Sequence, residues 1–188
     1  MPRWIEWIIA FLLWVTLSPL LLLILIAIVI DSPGWPFFRQ RRVGIHGHYF
    51  WMLKFRKMHA SVPAEGKGIT TQNDVRLTRI GRLLERFKLD ELPQLINVLR
   101  GDMALVGPRP EIPRFTAYYP EKWNQVLQVR PGIVGYSQIM TPHENDLYPS
   151  TCIDHEKYYI ENILPSKLDQ EIQYIQKKGL GLDFSILF

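Results

Sequence analysis

Asp90 and Glu91 stand side by side in the stretch LERFKLDELPQLINVLRGDMALVGPRPE, residues 84–111, between two basic segments that each carry an apolar face. An aspartate at the start of a helix commonly serves only as its cap. Its company here points to more. In Val106-Gly107-Pro108-Arg109-Pro110-Glu111 two prolines fix the backbone around one guanidinium, so Arg109 has little entropy left to lose on binding, and a rigid arginine suits a phosphate. Upstream, no acidic residue occurs between Asp31 and Glu65, whereas Arg39, Arg41, Arg42, Lys54, Arg56 and Lys57 do. These cations can attract anionic lipid headgroups or hold a substrate's phosphates, and part of the set reads as a solvated basic face.

The elements that must position these groups follow from pattern. Asp90 is placed to cap a helix with Glu91 and Pro93 in its first turn, Leu92, Leu95, Ile96 and Leu99 on its apolar face, and Gly101 at its end. Before it, Leu77, Ile80, Leu83, Leu84 and Phe87 recur at helical spacing, with Arg76, Arg79, Arg82 and Arg86 on other faces. A basic amphipathic helix of this kind lies in a membrane interface or packs on a soluble core. Phe37 to Met58 reads as a β-hairpin turning at Val43-Gly44-Ile45-His46-Gly47-His48. Val129 to Gln138 is a turn-rich apolar segment, and Pro165 to Lys178 reads as a helix ended by Gly179. Polar loops are expected at Ser61 to Asn73 and Thr141 to Ser150, where His143, Glu144 and Asp146 either touch a ligand or are merely solvated.

From Ile8 to Ile30 the chain carries no charge, which is enough apolar length to cross a bilayer. The run is longer than a signal peptide's core and leads into Asp31-Ser32-Pro33-Gly34 rather than a small-residue cleavage site, so it reads as retained. Pro19 must break one helical hydrogen bond, and the Ser18 hydroxyl can satisfy the freed carbonyl. Arg3 precedes the run and Arg39, Arg41 and Arg42 follow it, a charge distribution that favours both ends on the cytoplasmic face. A kinked spanning helix is the alternative.

With 188 residues, the remainder is long enough for one domain with a core. The net charge of +4 and 12% aromatic content suit a membrane-surface protein, a nucleic-acid binder or an enzyme acting on phosphates, and do not choose among them. The single cysteine, Cys152, excludes an internal disulfide and reads as an inert packed thiol. The expected architecture is α+β and mostly helical: a re-entrant membrane helix and linker over residues 1–36, then one compact cytoplasmic domain over residues 37–188, with a small β-hairpin and interfacial amphipathic helices.

In order along the chain, these segments resemble the bacterial sugar transferase family, the small monotopic phosphoglycosyl transferases. The resemblance runs through the Ser18-Pro19 apolar helix, PFFRQRRVG (36–44), KFRKM (54–58), DVRLTRIGRLLE (74–85), LDELPQLINVLRGDMALVGPRPE (89–111), VRPGIVGYSQI (129–139) and EKYYIEN (156–162). Each alone is weak, but together, with LDELPQ and GPRP among them, they are specific. The resemblance implies transfer of sugar-1-phosphate from a nucleotide sugar, generally a UDP-sugar, to polyprenol (undecaprenyl) phosphate, with UMP released. It implies Mg²⁺, with Mn²⁺ as a substitute, and a site on the cytoplasmic face of the bacterial inner membrane. It further implies that Asp90 is the nucleophile that forms a phosphosugar intermediate, with Glu91 beside it as metal ligand or base. Asp90 and Glu91 are the expected metal-binding carboxylates, Lys54, Arg56, Arg86, Arg109 and Glu156 the expected phosphate or nucleotide contacts, and Ser18-Pro19 the membrane break at which the helix enters and leaves one leaflet. A carboxylate can attack phosphorus only where the phosphate charges are neutralised, which accounts for cations and a divalent ion at such a site.

Two departures bear on the assignment. Glu85 occupies the position where the family pattern has an arginine, which here moves to Arg86, and Glu156 replaces an aspartate before the Tyr158-Tyr159 pair. The expected partners are polyprenol phosphate, a nucleotide sugar and membrane lipid, without nucleic acid, and a homo-oligomer is left open. Rival classes are a membrane-anchored binding module for anionic lipid or nucleic acid and a metal-dependent phosphohydrolase on nucleotide sugars. Neither the sugar nor the glycan pathway follows from the residues.

Overall fold

The computed structural model describes residues 1–60, 74–141, 147–149 and 154–187. The expected loop Ser61 to Asn73, the residues His143, Glu144 and Asp146, and Cys152 lie outside them.

The apolar run forms one helix, α1 (Arg3–Asp31), assigned without interruption through Pro19. Ser18 Oγ donates to Val15 O at 2.7 Å, the carbonyl that the missing Pro19 N–H leaves without its helical donor. Only one face is buried, and only towards the ends: Glu6 and Ala10 near the start, Ile24 and Ile28 near the finish. Residues 11–20 are exposed apart from Leu17. At the first end Ala10 packs with Phe50, Met52 and Leu95, and the Met1 amino group pairs with Asp183. At the other, Ile24 and Ile28 pack with Phe55 and Leu84, Asp31 Oδ2 accepts from Ile80 N at 2.9 Å, and Arg56 donates to Ser32 O.

The hairpin forms as the pattern predicts. Strands β1 (Phe37–Val43) and β2 (Tyr49–Phe55) pair antiparallel, from Phe37 opposite Phe55 to Val43 opposite Tyr49, and the turn is completed by His46 at φ 54°. Alternation sends Phe50 and Met52 into the core and leaves Tyr49 and Trp51 exposed, with the Arg41 guanidinium 4.0 Å from the Tyr49 ring centre. The basic amphipathic helix is α2 (Arg79–Arg86), shorter than its pattern because Thr78 caps it, accepting Gly81 N at 2.8 Å, while Met58 and Leu77 form a bridge before it. Helix α3 (Gln94–Arg100) ends at Gly101 with φ 89°, the left-handed stop that the sequence predicts.

A second sheet was not anticipated: β3 (Ala104–Val106) pairs parallel with β4 (Gly132–Val134). Two glycines permit it, because a Cβ on Gly132 would stand 2.1 Å from Gly107 N. Helices α4 (Pro120–Val126), α5 (Tyr136–Met140), α6 (His155–Tyr158), α7 (Leu164–Lys177) and α8 (Leu180–Leu187) complete the described chain. Between α6 and α7 lies a π-helical turn, Tyr159–Ile163. The tail helix is thus confirmed as α7, and Gly179 separates it from α8, which had no advance signal. The core gathers Phe50, Met52, Leu95, Val98, Met103, Leu105, Val106 and Tyr174, and a second cluster seats α4 against α7 through Trp123, Val126, Leu164 and Leu168. At about 1.5–3 kcal/mol per fully buried aliphatic or aromatic side chain, such clusters hold the short strands that would not pair alone.

Candidate active site

Asp90 is not a helix cap. After α2 the chain reverses at Lys88, whose φ of 57° is left-handed, and enters a 3₁₀ turn over Leu89–Glu91. The two donors that a capping Asp90 would use are missing: Leu92 N donates to Leu89 O at 3.3 Å, and residue 93 is a proline with no N–H. The helix begins beyond Pro93 without a side-chain cap. Asp90 therefore turns inward, 3% exposed, and its carboxylate accepts no hydrogen bond from the described residues.

Glu91, its neighbour, is held on both oxygens. Oε1 accepts from Lys54 Nζ at 2.9 Å and from Arg109 Nη2 at 2.6 Å, and Oε2 accepts from Arg109 Nη1 at 3.2 Å. Lys54 also lies 3.8 Å from Asp90 Oδ2, close enough for attraction and too far for a hydrogen bond. The two carboxyls are driven apart in consequence. Burial raises Asp90 above the ordinary aspartate range; Lys54 only partly offsets this, and the Glu91 charge adds to it. Burial would raise Glu91 too, but Arg109 and Lys54, by charge and hydrogen bond, hold it well below the usual range. Burial also lowers Lys54, with Glu91 opposing that shift. One carboxylate is basic and accepts no hydrogen bond from the described residues, and the other is a fixed anion orienting two cations.

Arg109 is carried by a loop fastened at several points. Gly107 N donates to Val134 O at 3.1 Å and Gly132 N to Pro108 O at 2.9 Å, tying the loop to β4. Behind it Glu111 is buried, accepting from Arg42 Nη1 at 3.0 Å, from Ile112 N at 2.9 Å and from the Tyr159 hydroxyl at 2.6 Å, with Lys167 Nζ 3.8 Å away. Arg42 also donates to Pro110 O at 3.0 Å. Burial would raise Glu111, yet Lys167 and Arg42 keep it lowered. Glu171 accepts from Arg109 N at 3.3 Å on the other side.

Of the residues expected at the site, Asp90, Glu91, Lys54 and Arg109 come together. Arg56 does not join them: β2 ends at Phe55, and the guanidinium turns to the linker carbonyl of Ser32. Arg86 is exposed at the end of α2, 5.6 Å from the Phe87 ring, and Glu85 pairs with Lys57 at 2.5 Å. Glu156 lies at the surface with Arg114 at 3.1 Å. The shallow cavity of about 620 Å³ beside Ile30, His59, Arg79 and Arg82 contains none of the expected site residues. Sequence reasoning missed Glu111, Tyr159, Lys167 and Glu171 as supports. Glu111 had a signal, being the last residue of the GPRPE motif, whereas Glu171 had none.

Among the described residues no three His, Cys, Asp or Glu side chains gather as a metal cage. Mg²⁺ bound chiefly through substrate phosphates needs only one or two protein carboxylates, and the two open oxygens of Asp90 with the remaining lone pair of Glu91 Oε2 fit that demand.

A family model described as bacterial sugar transferase matches residues 1–188. The chain is similar to a UDP-glucose:undecaprenyl-phosphate glucose-1-phosphate transferase of Xanthomonas campestris pv. campestris, 43% identical over 178 residues, covering 91% of this chain and 34% of that protein. It is similar to a UDP-N-acetylgalactosamine-undecaprenyl-phosphate N-acetylgalactosaminephosphotransferase of Aeromonas hydrophila, 38% identical, with 77% and 35% covered. It also matches EpsL of Bacillus subtilis (strain 168), an uncharacterized sugar transferase, at 45% identity with 90% and 75% covered. The chain thus spans only about a third of the first two of these relatives.

Proposed function

This chain belongs to the bacterial sugar transferase family, and from that premise we propose that it transfers sugar-1-phosphate from a UDP-sugar to undecaprenyl phosphate at a membrane surface. The observation that carries this reading is the pairing of Asp90, buried and without a hydrogen bond from the described residues, with a Glu91 that gathers Lys54 and Arg109 beside it. The printed activities of the relatives from Xanthomonas and Aeromonas support the substrate classes, and their different sugars leave the hexose open.

The chain's own groups can be given steps. An Asp90 oxygen attacks the sugar-bearing phosphorus of the donor, the bond from that phosphorus to the bridging oxygen breaks, and UMP departs with that electron pair. A phosphate oxygen of the lipid then attacks the same phosphorus, the acyl phosphate bond breaks, and Asp90 regains its carboxylate. Burial favours the first step by making Asp90 a stronger base. Arg109 and Lys54 supply the positive charge that lets an anion approach a phosphate. In the ligand-free arrangement both are satisfied by Glu91, which holds them in place and can release a hydrogen bond to the diphosphate. Mg²⁺, carried on the phosphates beside Asp90 and Glu91, would neutralise charge developing on the leaving group.

Helix α1 supports membrane attachment. At 1.5 Å per residue it is about 43 Å long, so a straight helix crossing the bilayer would carry one end well away from a domain on the other side. Yet both its ends pack on this domain, while residues 11–20 between them are exposed apart from Leu17. A helix that dips into one leaflet and returns at Ser18-Pro19 accommodates both facts. The basic helix α2 supports the same placement, because Leu83 and Phe87 are 50% and 58% exposed beside Arg82 and Arg86. The site then sits at headgroup depth on the cytoplasmic side.

The reading is tested by incubating detergent-solubilised protein with Mg²⁺ and a panel of UDP-sugars, with and without undecaprenyl phosphate. Continued UMP release, well beyond one per protein molecule, is expected only with the lipid; without it release should stop at the single UMP freed as Asp90 takes up the phosphosugar. Continued release without lipid would replace the transferase by a phosphohydrolase.

A further inference from the structure

Glu171 takes no part in the steps above, yet it is only 3% exposed in the interior of α7. A carboxylate withdrawn from water costs stability unless donors replace that water. Its Oε1 has them: Ser137 Oγ donates at 2.5 Å and Arg109 N at 3.3 Å. Its Oε2, also buried, has no partner among the described residues.

Position 135 makes the junction feasible. A Cβ on Gly135 would stand 3.2 Å from Glu171 Oε1 and 3.4 Å from Arg109 Cβ, so a side chain there would crowd the carboxylate and the loop it meets. The same glycine opens α5, its N–H donating to Gln138 Oε1 at 2.9 Å. One carboxylate therefore joins α7, the start of α5 and the backbone of the residue whose guanidinium holds Glu91. The other fastenings of the loop fall on Gly107, Pro108, Pro110 and Glu111, to either side of Arg109.

We propose that Glu171 is a positioning residue for Arg109, fixing the loop backbone at the point from which the guanidinium reaches Glu91 and, on the transferase reading on which this rests, the donor's diphosphate. A residue kept only for packing would be served better by an apolar side chain, because one buried oxygen of Glu171 has no partner among the described residues. What a carboxylate or carboxamide offers here is an acceptor aimed at Arg109 N and Ser137 together.

The full chain in detergent, with Mg²⁺, is titrated with UDP as the probe, and its thermal unfolding and donor kinetics are measured alongside. Glu171→Met is expected to keep or raise the unfolding temperature while weakening UDP binding and raising KM for the donor by on the order of 10-fold, with kcat changed less. Glu171→Gln, which keeps the acceptor, is expected to stay within about twofold of the native chain on each measure. Adding Glu171→Met to Arg109→Ala is expected to cost nothing beyond Arg109→Ala alone, since the first acts through the second. Native UDP affinity in Glu171→Met, losses that multiply in the double variant, or a Gln variant as impaired as Met would each overturn the proposal. A native chain that binds UDP and responds to these variants as expected, but releases no UMP, would sink the transferase reading and leave the Arg109–Glu171 assignment standing.

Discussion

Removing the charge from Asp90 and from Glu91 should shift stability in opposite directions. Asp90→Asn deletes a desolvated carboxylate that accepts no hydrogen bond from the described residues, so about 1 kcal/mol of gain, or a rise of about 2–4 °C in unfolding temperature, is expected together with loss of UMP release. Glu91→Gln leaves Lys54 and Arg109 facing a neutral amide in a buried site, where breaking such a pair costs about 3 kcal/mol. Its unfolding temperature should fall by several degrees; an unchanged value would mean that the clamp holds nothing. Acid follows the same division. The Glu91 carboxyl is lowered in the fold, so its stabilisation is complete above the unfolded value of about 4.5 and is lost as pH falls through the depressed one. Asp90 is raised, so protonation below its folded value favours the fold while it would remove the proposed nucleophile. The pH profile of UMP release should accordingly show an acid limb above the ordinary aspartate value of 3.8. The four residues that converge were legible in KFR, LDELPQ and GPRP because each motif fixes a local backbone. Arg56, expected with Lys54 from the KFR motif, stands apart from these four in the ligand-free arrangement, because β2 stops at Phe55 and the guanidinium donates to Ser32 O.

The elements show where pattern suffices and where it does not. Alternation and a glycine turn were enough for the hairpin, and Gly101 was enough to end α3. The turn over Leu89–Glu91 was hidden because a helix start and a 3₁₀ turn share the same residue preferences; Pro93 and the Leu92–Leu89 hydrogen bond decide between them. The β3–β4 pair depends on Gly107 meeting Gly132, a long-range contact with no local signature. For α1, the packing of both ends leads to a direct prediction. In a Cys152→Ser background, single cysteines introduced at Pro2 and Gly34 should both react with a membrane-impermeant reagent from the cytoplasmic side only. Labelling on opposite faces would restore a spanning helix.

At the scale of the whole molecule, the proposed transfer makes two demands. A very apolar acceptor stays in the bilayer, so the site must come to it, and α1 with its exposed middle and the apolar flank of α2 can set that depth. On the transferase reading a water-soluble donor would be held through its diphosphate, and Lys54 and Arg109 stand beside Asp90 where that grip would be needed, with supports running back to α7. The sequence carried this division through its long apolar run and its motifs, whereas the supports from Glu111, Lys167 and Glu171 arise only when distant elements pack. The claim on which all of this depends is that Asp90 bonds covalently to the transferred phosphosugar. Native protein and Asp90→Asn should be mixed with Mg²⁺ and the UDP-sugar that supports turnover, without lipid acceptor, and their intact masses measured with mapping of the modified peptide. The account predicts a phosphosugar adduct on Asp90 that vanishes when undecaprenyl phosphate is added and never forms on the variant. Native-like turnover by Asp90→Asn, or an adduct mapped to another residue, would contradict it.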